Sequence, residues 1–243
     1  METLILLIET ATERCSCALA NEQGIVSYAE SNEPNSHSAK LSLLIDGLFT
    51  QTKHSYSDLS AIAVSIGPGS YTGLRIGVST AKGLAYALDI PVIALKTCEI
   101  FAAPVFEKNH NACCVAMIDA RRMEVYASIF HNKKEIKPCS ADILEEGIYE
   151  EYLSDKENVV FVGNCLEKLK KVYDLEKYFI DLEKYSIELG KYFLDFSVEL
   201  NAKNMQGLAF EKYNKKEFVD VAYFEPFYLK NFEAAPSKVK GLR

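Results

Sequence analysis

The sequence of 243 residues has no surplus of positive charge: 27 Lys and Arg stand against 34 Asp and Glu, a net of −7. A protein that grips nucleic acid alone usually carries a basic excess or a dense basic stripe. Any RNA contact is therefore expected to be shared with a partner. Long apolar runs are also missing. Leu4–Ile8 and Cys113–Ile118 fall far short of the roughly 20 residues that cross a membrane. The opening Met1-Glu2-Thr3-Leu4 offers neither a basic n-region nor a cleavage site, so a cytoplasmic location is expected. Cysteine is odd in number, at seven, and forms no CxxC knuckle, which argues against zinc and disulfide frameworks. Cys15 and Cys17 fall in an alternating pattern and read as small core hydrophobes. Histidine is scarce. His37, His54, His110 and His131 are scattered, and the position four after His37 is Leu41, so the i, i+4 pair of a helical metal site is absent and no metal is expected.

What is present suggests duplication. With 49% hydrophobic and 25% charged residues, the chain can build one large domain or two of about 100–150 residues. Leu4–Ile8, Cys15–Leu19 and Ile25–Ala29 read as three consecutive strands. After Pro34-Asn35-Ser36, the residues Leu41, Leu44, Ile45 and Leu48 trace the stripe of an amphipathic helix with Ser36 as its N-cap. Ala61–Ile66 reads as a buried strand, Leu74, Val78, Ala81, Ala85 and Leu88 as a second helix stripe, and Val92–Leu95 as a strand. The order restarts after Asn109 with Cys113–Ile118, Glu124–Phe130 and Glu135–Lys137, a weak helical stretch near Ile143–Leu153, the strand Val159–Val162 and a short helix Leu166–Tyr173. A longer helix over Ser186–Leu200 and a closing strand over Val219–Leu229 are expected. The pattern predicts an α/β fold of two domains, 1–107 and 108–230, each a mixed sheet covered by helices. A poorly ordered tail is expected over 231–243.

The stretch Gly67-Pro68-Gly69-Ser70-Tyr71-Thr72-Gly73-Leu74-Arg75-Ile76-Gly77 joins a strand to a helix, and three enzyme motifs fail on it. A P-loop needs Gly and Lys where Thr72 and Gly73 stand. A dinucleotide fingerprint needs Gly at position 72, and a nucleophile elbow around Ser70 needs Gly at 68 and 72. Two readings survive. The N–H groups of Ser70–Gly73, with Arg75 one turn in, hold a phosphate or carboxylate; or the segment is a tight turn needing glycine dihedrals, with Arg75 in a structural ion pair. Gly73, Gly77, Ala81 and Ala85 recur every four residues, which lets another helix approach closely, from within the domain or from a partner.

This block, followed by Ala81-Lys82-Gly83-Leu84-Ala85, resembles the signature of the TsaB (YeaZ) family. Ile8-Glu9-Thr10-Ala11-Thr12, His37-Ser38, Ile118-Asp119-Ala120-Arg121-Arg122 and Glu225-Pro226 with Tyr228-Leu229-Lys230 support it. The resemblance implies the duplicated actin-like (ASKHA, RNase H-like) fold of two βββαβα domains. It implies a non-catalytic subunit of the machinery for tRNA N6-threonylcarbamoyladenosine, dimerising with the catalytic TsaD paralogue and helping recruit the ATPase TsaE. It places that contact on a helical bundle formed by Ser36–Phe49 and Tyr71–Leu88, with His37, Leu41, Leu44, Leu48, Gly73, Arg75, Gly77 and Ala81 as interface residues. Candidate anion or nucleotide contacts are Glu9, Thr10, Ser70, Thr72 and Asp119. No cofactor of its own is implied, with a nucleotide at the partner interface left open, as is a homodimer in isolation; tRNA is reached through the complex. Glu9 stands where the family more often has Asp, Ala11 where it often has Ser, and Gly163-Asn164 where nucleotide-binding relatives show a glycine pair. The alternative is a catalytic member of the same fold, a TsaD-like transferase or a small-molecule kinase, with Glu9 and Asp119 as its carboxylates.

Overall fold

A computed structural model describes residues 2–33, 36–172, 179–181, 186–189, 192–195 and 197–230. The first strand, β1 (Ile5–Glu9), is buried along its whole length, as a strand covered on both faces must be. It pairs antiparallel with β2 (Cys15–Asn21), which pairs antiparallel with β3 (Gly24–Ser31). Helix α1 (His37–Thr50) then leads to β4 (Ala61–Gly67), parallel to β1, and α2 (Tyr71–Leu88) leads to β5 (Val92–Lys96), parallel to β4. The first sheet has the order β3-β2-β1-β4-β5.

Helix α3 (Thr97–Lys108) carries the chain to the second sheet. There β6 (Cys113–Asp119), β7 (Glu124–His131) and β8 (Lys134–Ile143) repeat the antiparallel start. Asn132 and Lys133 both take positive φ, 51° and 62°, as the two central residues of a tight hairpin require. Helix α4 (Glu150–Leu153), β9 (Val159–Gly163), α5 (Leu169–Val172), β10 (Phe179–Asp181), β11 (Ser186–Leu189) and β12 (Tyr192–Asp195) follow, and then α6 (Gln206–Lys215). The order β10-β11-β12-β9-β6-β7-β8 contains the first sheet's plan, with β9 parallel to β6 and β12 parallel to β9. This is the duplicated actin-like α/β fold, extended by two strands at one edge.

Strand alternation sorts the core into layers. Leu6 and Ile8 point to the side covered by α1 and α2, with Leu41, Ile45, Leu48, Val78, Ala81 and Ala85. Ile5 and Leu7 point to a core between the sheets, shared with Cys114, Ala116 and Ile118 of β6 and filled by Phe101 and Phe106 of α3. Cys113, Val115 and Met117 face the far side, under Leu153 and Leu169. Helix α3 was not visible in the sequence because residues all round it are buried, including Thr97, Cys98, Ile100, Phe101, Ala102 and Val105; no polar face marks its period.

Other expectations are corrected. The described residues of the expected helix Ser186–Leu200 are not helical: β11 and β12 pair antiparallel from Ser186↔Asp195 to Leu189↔Tyr192. Aromatic and aliphatic residues suit short strands as well as a helix, and pairing beside β9 decides between them. The helical stretch from Ile143 shrinks to α4, because β8 runs on to Ile143 opposite Glu124. The closing strand over Val219–Leu229 reduces to a single bridge between Val219 and Val92, after which Asp220 caps a turn through Ala222, Tyr223 and Phe224. Residues 202–227, expected with the second domain, pack on the first. Ala202 N–H donates to Ser16 Oγ at 3.0 Å, Lys212 Nζ to the Ala94 carbonyl at 3.1 Å, and Phe227 N–H to the Ile66 carbonyl at 2.6 Å. Tyr173 of the expected short helix, and the tail 231–243, lie outside the described residues.

Candidate functional site

Two regions hold the candidate residues: the strand ends where the lobes meet, and the outer layer of α1 and α2. At the end of β1, Glu9 is fully buried, and its Oε1 accepts from the Ala11 N–H at 2.6 Å. Burial pushes its carboxyl up to about 7, against the opposing pull of the Ala11 N–H, the Ser65 hydroxyl and the Thr10 N–H. Its Oε2 and the Thr10 hydroxyl are buried without a hydrogen-bond partner among the described residues.

The glycine segment wraps this strand end. A Cβ on Gly69 would collide with the Ala11 carbonyl, one on Gly73 with the Thr10 carbonyl oxygen, and one on Gly77 with the Thr10 hydroxyl. The glycines therefore exist to let α2 lie directly on β1. Gly67 has φ 112° and faces the Phe227 carbonyl. Ser70 caps α2, its hydroxyl accepting from the Gly73 N–H at 3.2 Å, and its own N–H is spent on the Ala11 carbonyl at 2.7 Å. Two of the four N–H groups expected to cradle an anion are thus engaged internally. Thr72 is exposed in the first turn. Among the described residues Arg75 joins no ion pair: its Nε donates to the Tyr228 hydroxyl at 3.1 Å and its guanidinium lies 4.2 Å from the Tyr71 ring centre.

At the matching end of β6, Asp119 Oδ1 accepts from the Arg121 N–H at 2.5 Å and from Lys168 Nζ at 2.9 Å. Burial works to raise this carboxyl, but the Lys168 ammonium, the Arg121 N–H and the two positive charges outweigh it and hold it below the ordinary carboxylate value. Gly163 is pressed onto Met117, with φ 141°. Between the lobes is a cavity of about 310 Å³ whose lining includes Thr12, Arg14, Asn164, Glu167 and Glu199. Arg14, not anticipated, is held by Glu30 at 2.8 Å and Glu199 at 2.7 Å. Neither Glu9 nor Asp119 lines that cavity. Among the described residues, no group of three or more His, Cys, Asp or Glu is placed to hold a metal ion.

The expected interface is largely internal. His37 is buried, with Nε2 at 3.0 Å from the Thr12 carbonyl. Leu41, Leu48, Gly73, Gly77 and Ala81 are buried by the chain's own strands, and Leu44 is half-buried beside them. Of those eight residues only Arg75 is exposed. The same helices instead present Leu43, 64% exposed, and Tyr86, 86% exposed, flanked by Ser42, Asp46, Ser79 and Gly83. Leu43 falls outside the stripe that defines α1, so periodicity pointed away from it.

The family model described as TsaD, tRNA N6-adenosine threonylcarbamoyltransferase, matches residues 34–237. A tRNA threonylcarbamoyladenosine biosynthesis protein TsaB from Escherichia coli is 38% identical over 122 residues, covering 50% of this chain and 52% of that protein. The chain thus spans about half the length of that relative. A protein of the same name from Buchnera aphidicola (Acyrthosiphon pisum) is 31% identical over 176 residues, covering 72% of this chain and 74% of that one. The chain belongs to the TsaB (YeaZ) family. The solved structure of YeaZ from Pseudomonas aeruginosa superposes with a TM-score of 0.75 at 25% identity, over 93% of this chain and all of that one. In this TsaB-family chain the family-model match begins after β3, so the buried Glu9 strand end lies outside it.

Proposed function

We propose that this chain is a cytoplasmic subunit of the assembly that makes N6-threonylcarbamoyladenosine in tRNA. It docks on a TsaD-type transferase, helps recruit a TsaE-type ATPase, and has neither a catalytic centre nor a cofactor of its own. The names of its relatives supply the pathway. The observation that carries a docking role is the burial of Glu9, closed off in the protein interior, while Asp119, exposed at the end of β6, has its Oδ1 held by Lys168 and a turn N–H. General acid–base or metal work needs a carboxylate that reaches substrate. A charge of −7 opposes the RNA backbone, which supports reaching tRNA through the complex.

The docking surface is the outward side of α1 and α2, centred on Leu43 and Tyr86. An interface of ordinary size buries roughly 1,600 Å² and concentrates its energy in a few such anchors. The double variant Leu43→Glu with Tyr86→Glu is expected to weaken capture by the TsaD-type partner about 100-fold, about 2.7 kcal/mol, while melting like the parent. Undiminished capture removes this surface from consideration. Turnover of ATP or threonylcarbamoyl-adenylate by the isolated chain, lost on Asp119→Asn, would overturn the non-catalytic reading in favour of an enzyme.

A further inference from the structure

Cys98 opens the first turn of α3 and is fully buried in the core shared by the two sheets. Cys139 comes to it from β8, with the two sulfurs 3.8 Å apart. Among the described residues no other pair of cysteine sulfurs is within hydrogen-bonding distance. The two thiols differ in access. Cys139 is partly exposed, whereas the other six cysteines are buried. It also lies on the edge strand of the second sheet, which among the described residues pairs with β7 alone, and the pairing is irregular opposite Ala127–Ile129, where the backbone has room to adjust.

We propose that Cys98 and Cys139 form a reversible thiol–disulfide pair, closed by a hydroperoxide and reopened by a dithiol, that ties the start of α3 to β8. The Cys139 thiolate attacks one peroxide oxygen and the O–O bond breaks. The departing hydroxide becomes water with the proton that the thiol has lost, and sulfur is oxidised to the sulfenic acid. The Cys98 sulfur then attacks the Cys139 sulfur. The S–O bond breaks, and the hydroxyl leaves as a second water with the Cys98 proton. In sum, two thiols and one hydrogen peroxide give one disulfide and two waters.

The roles follow from the surroundings. Contact with the Cys98 sulfur holds Cys139 below the ordinary thiol value against its burial, with help from Ser128 and Lys137 and opposition from Glu135. The same contact, with burial, raises Cys98. Cys139, the more accessible of the two, is therefore the attacking thiolate and the buried Cys98 the resolving thiol. Elsewhere burial pushes Cys15 and Cys113 up to about 11 and Cys165 up to about 12, and raises Cys17 and Cys114 as well, so those five are poor nucleophiles. The pair joins positions 41 residues apart, a loop long enough for a cross-link to stabilise the fold measurably.

The test treats the full chain with a stoichiometric amount of hydrogen peroxide, alkylates remaining thiols with iodoacetamide and maps them by mass spectrometry. Cys98 and Cys139 should lose alkylation together, appear as one cross-linked peptide and recover with dithiothreitol. Melting of the oxidised protein should rise by roughly 5–10 °C, and no rise should occur in Cys139→Ser. In Cys98→Ser the reaction should halt at a sulfenic acid on Cys139, trapped by dimedone. Cys139→Ser, at a partly exposed position, is the folded control should Cys98→Ser not fold. Continued alkylation of both thiols, a sulfinic acid on Cys139 with Cys98 still free, or cross-linking of any other pair overturns the proposal.

Discussion

Thr10 has its carbonyl oxygen against Gly73 and its hydroxyl against Gly77, so the two glycines of α2 are contact points with the one residue that follows β1. Nothing at either place can retreat, because the obstructing atoms belong to the backbone and to a β-branched side chain fully enclosed in the protein. Gly77→Leu is therefore expected to cost about 3 kcal/mol, roughly 10 °C of melting temperature. Partner capture, measured below the new midpoint, should be lost only in proportion to unfolding. A variant that melts like the parent would return Gly77 to the surface. Glu9 makes a separate prediction. Its folded value of about 7 lies above the ordinary 4.5, so the native state binds more protons than the unfolded state between those limits. Its contribution is fully present below about 4.5 and is lost as pH rises through about 7. Glu9→Gln should therefore gain on the parent by about 2–3 kcal/mol between pH 4.5 and pH 8. Denaturant titrations at the two pH values check this; a difference that does not change with pH contradicts it.

At the scale of elements, α1 and α2 show how one stripe serves two readings. The apolar and small residues every three or four positions were legible in the sequence, and they mark the side of each helix that meets something. Whether that something is the chain's own sheet or a partner depends on what else covers the sheet. Here α1 and α2 are the cover, so Leu41, Ile45 and Leu48 turn inward and docking falls to the opposite side. Leu41→Ala, at 1% exposure, is the contrasting control for the docking variants: it should lose about 2–5 kcal/mol of stability, where Leu43→Glu loses binding instead. Legibility failed where an element has no solvent face. Helix α3 is surrounded, and β11 and β12 exist through pairing, β12 with β9 and β11 with β12.

For the whole molecule, the duplicated plan does not make two independent bodies. The inner face of the first sheet, with Ile5, Leu7, Ala18 and Ala63, is covered by Ala202, Met205, Ala209 and Phe210 from the end of the chain as well as by α3. Residues 1–107 expressed alone should thus expose that face and show no cooperative calorimetric transition; a sharp transition resembling the full chain's would refute the shared core. The strands whose apolar runs are continuous, the amphipathic helices, the glycine turn and the family were legible along the chain, because each is written in neighbouring residues. That residues 202–227 return to the first sheet, that the glycines press on Thr10, that Glu9 is buried at the end of β1 and that Cys98 meets Cys139 came only from the folded arrangement. Those depend on groups far apart in the chain, and no local periodicity encodes which surface a distant segment will cover.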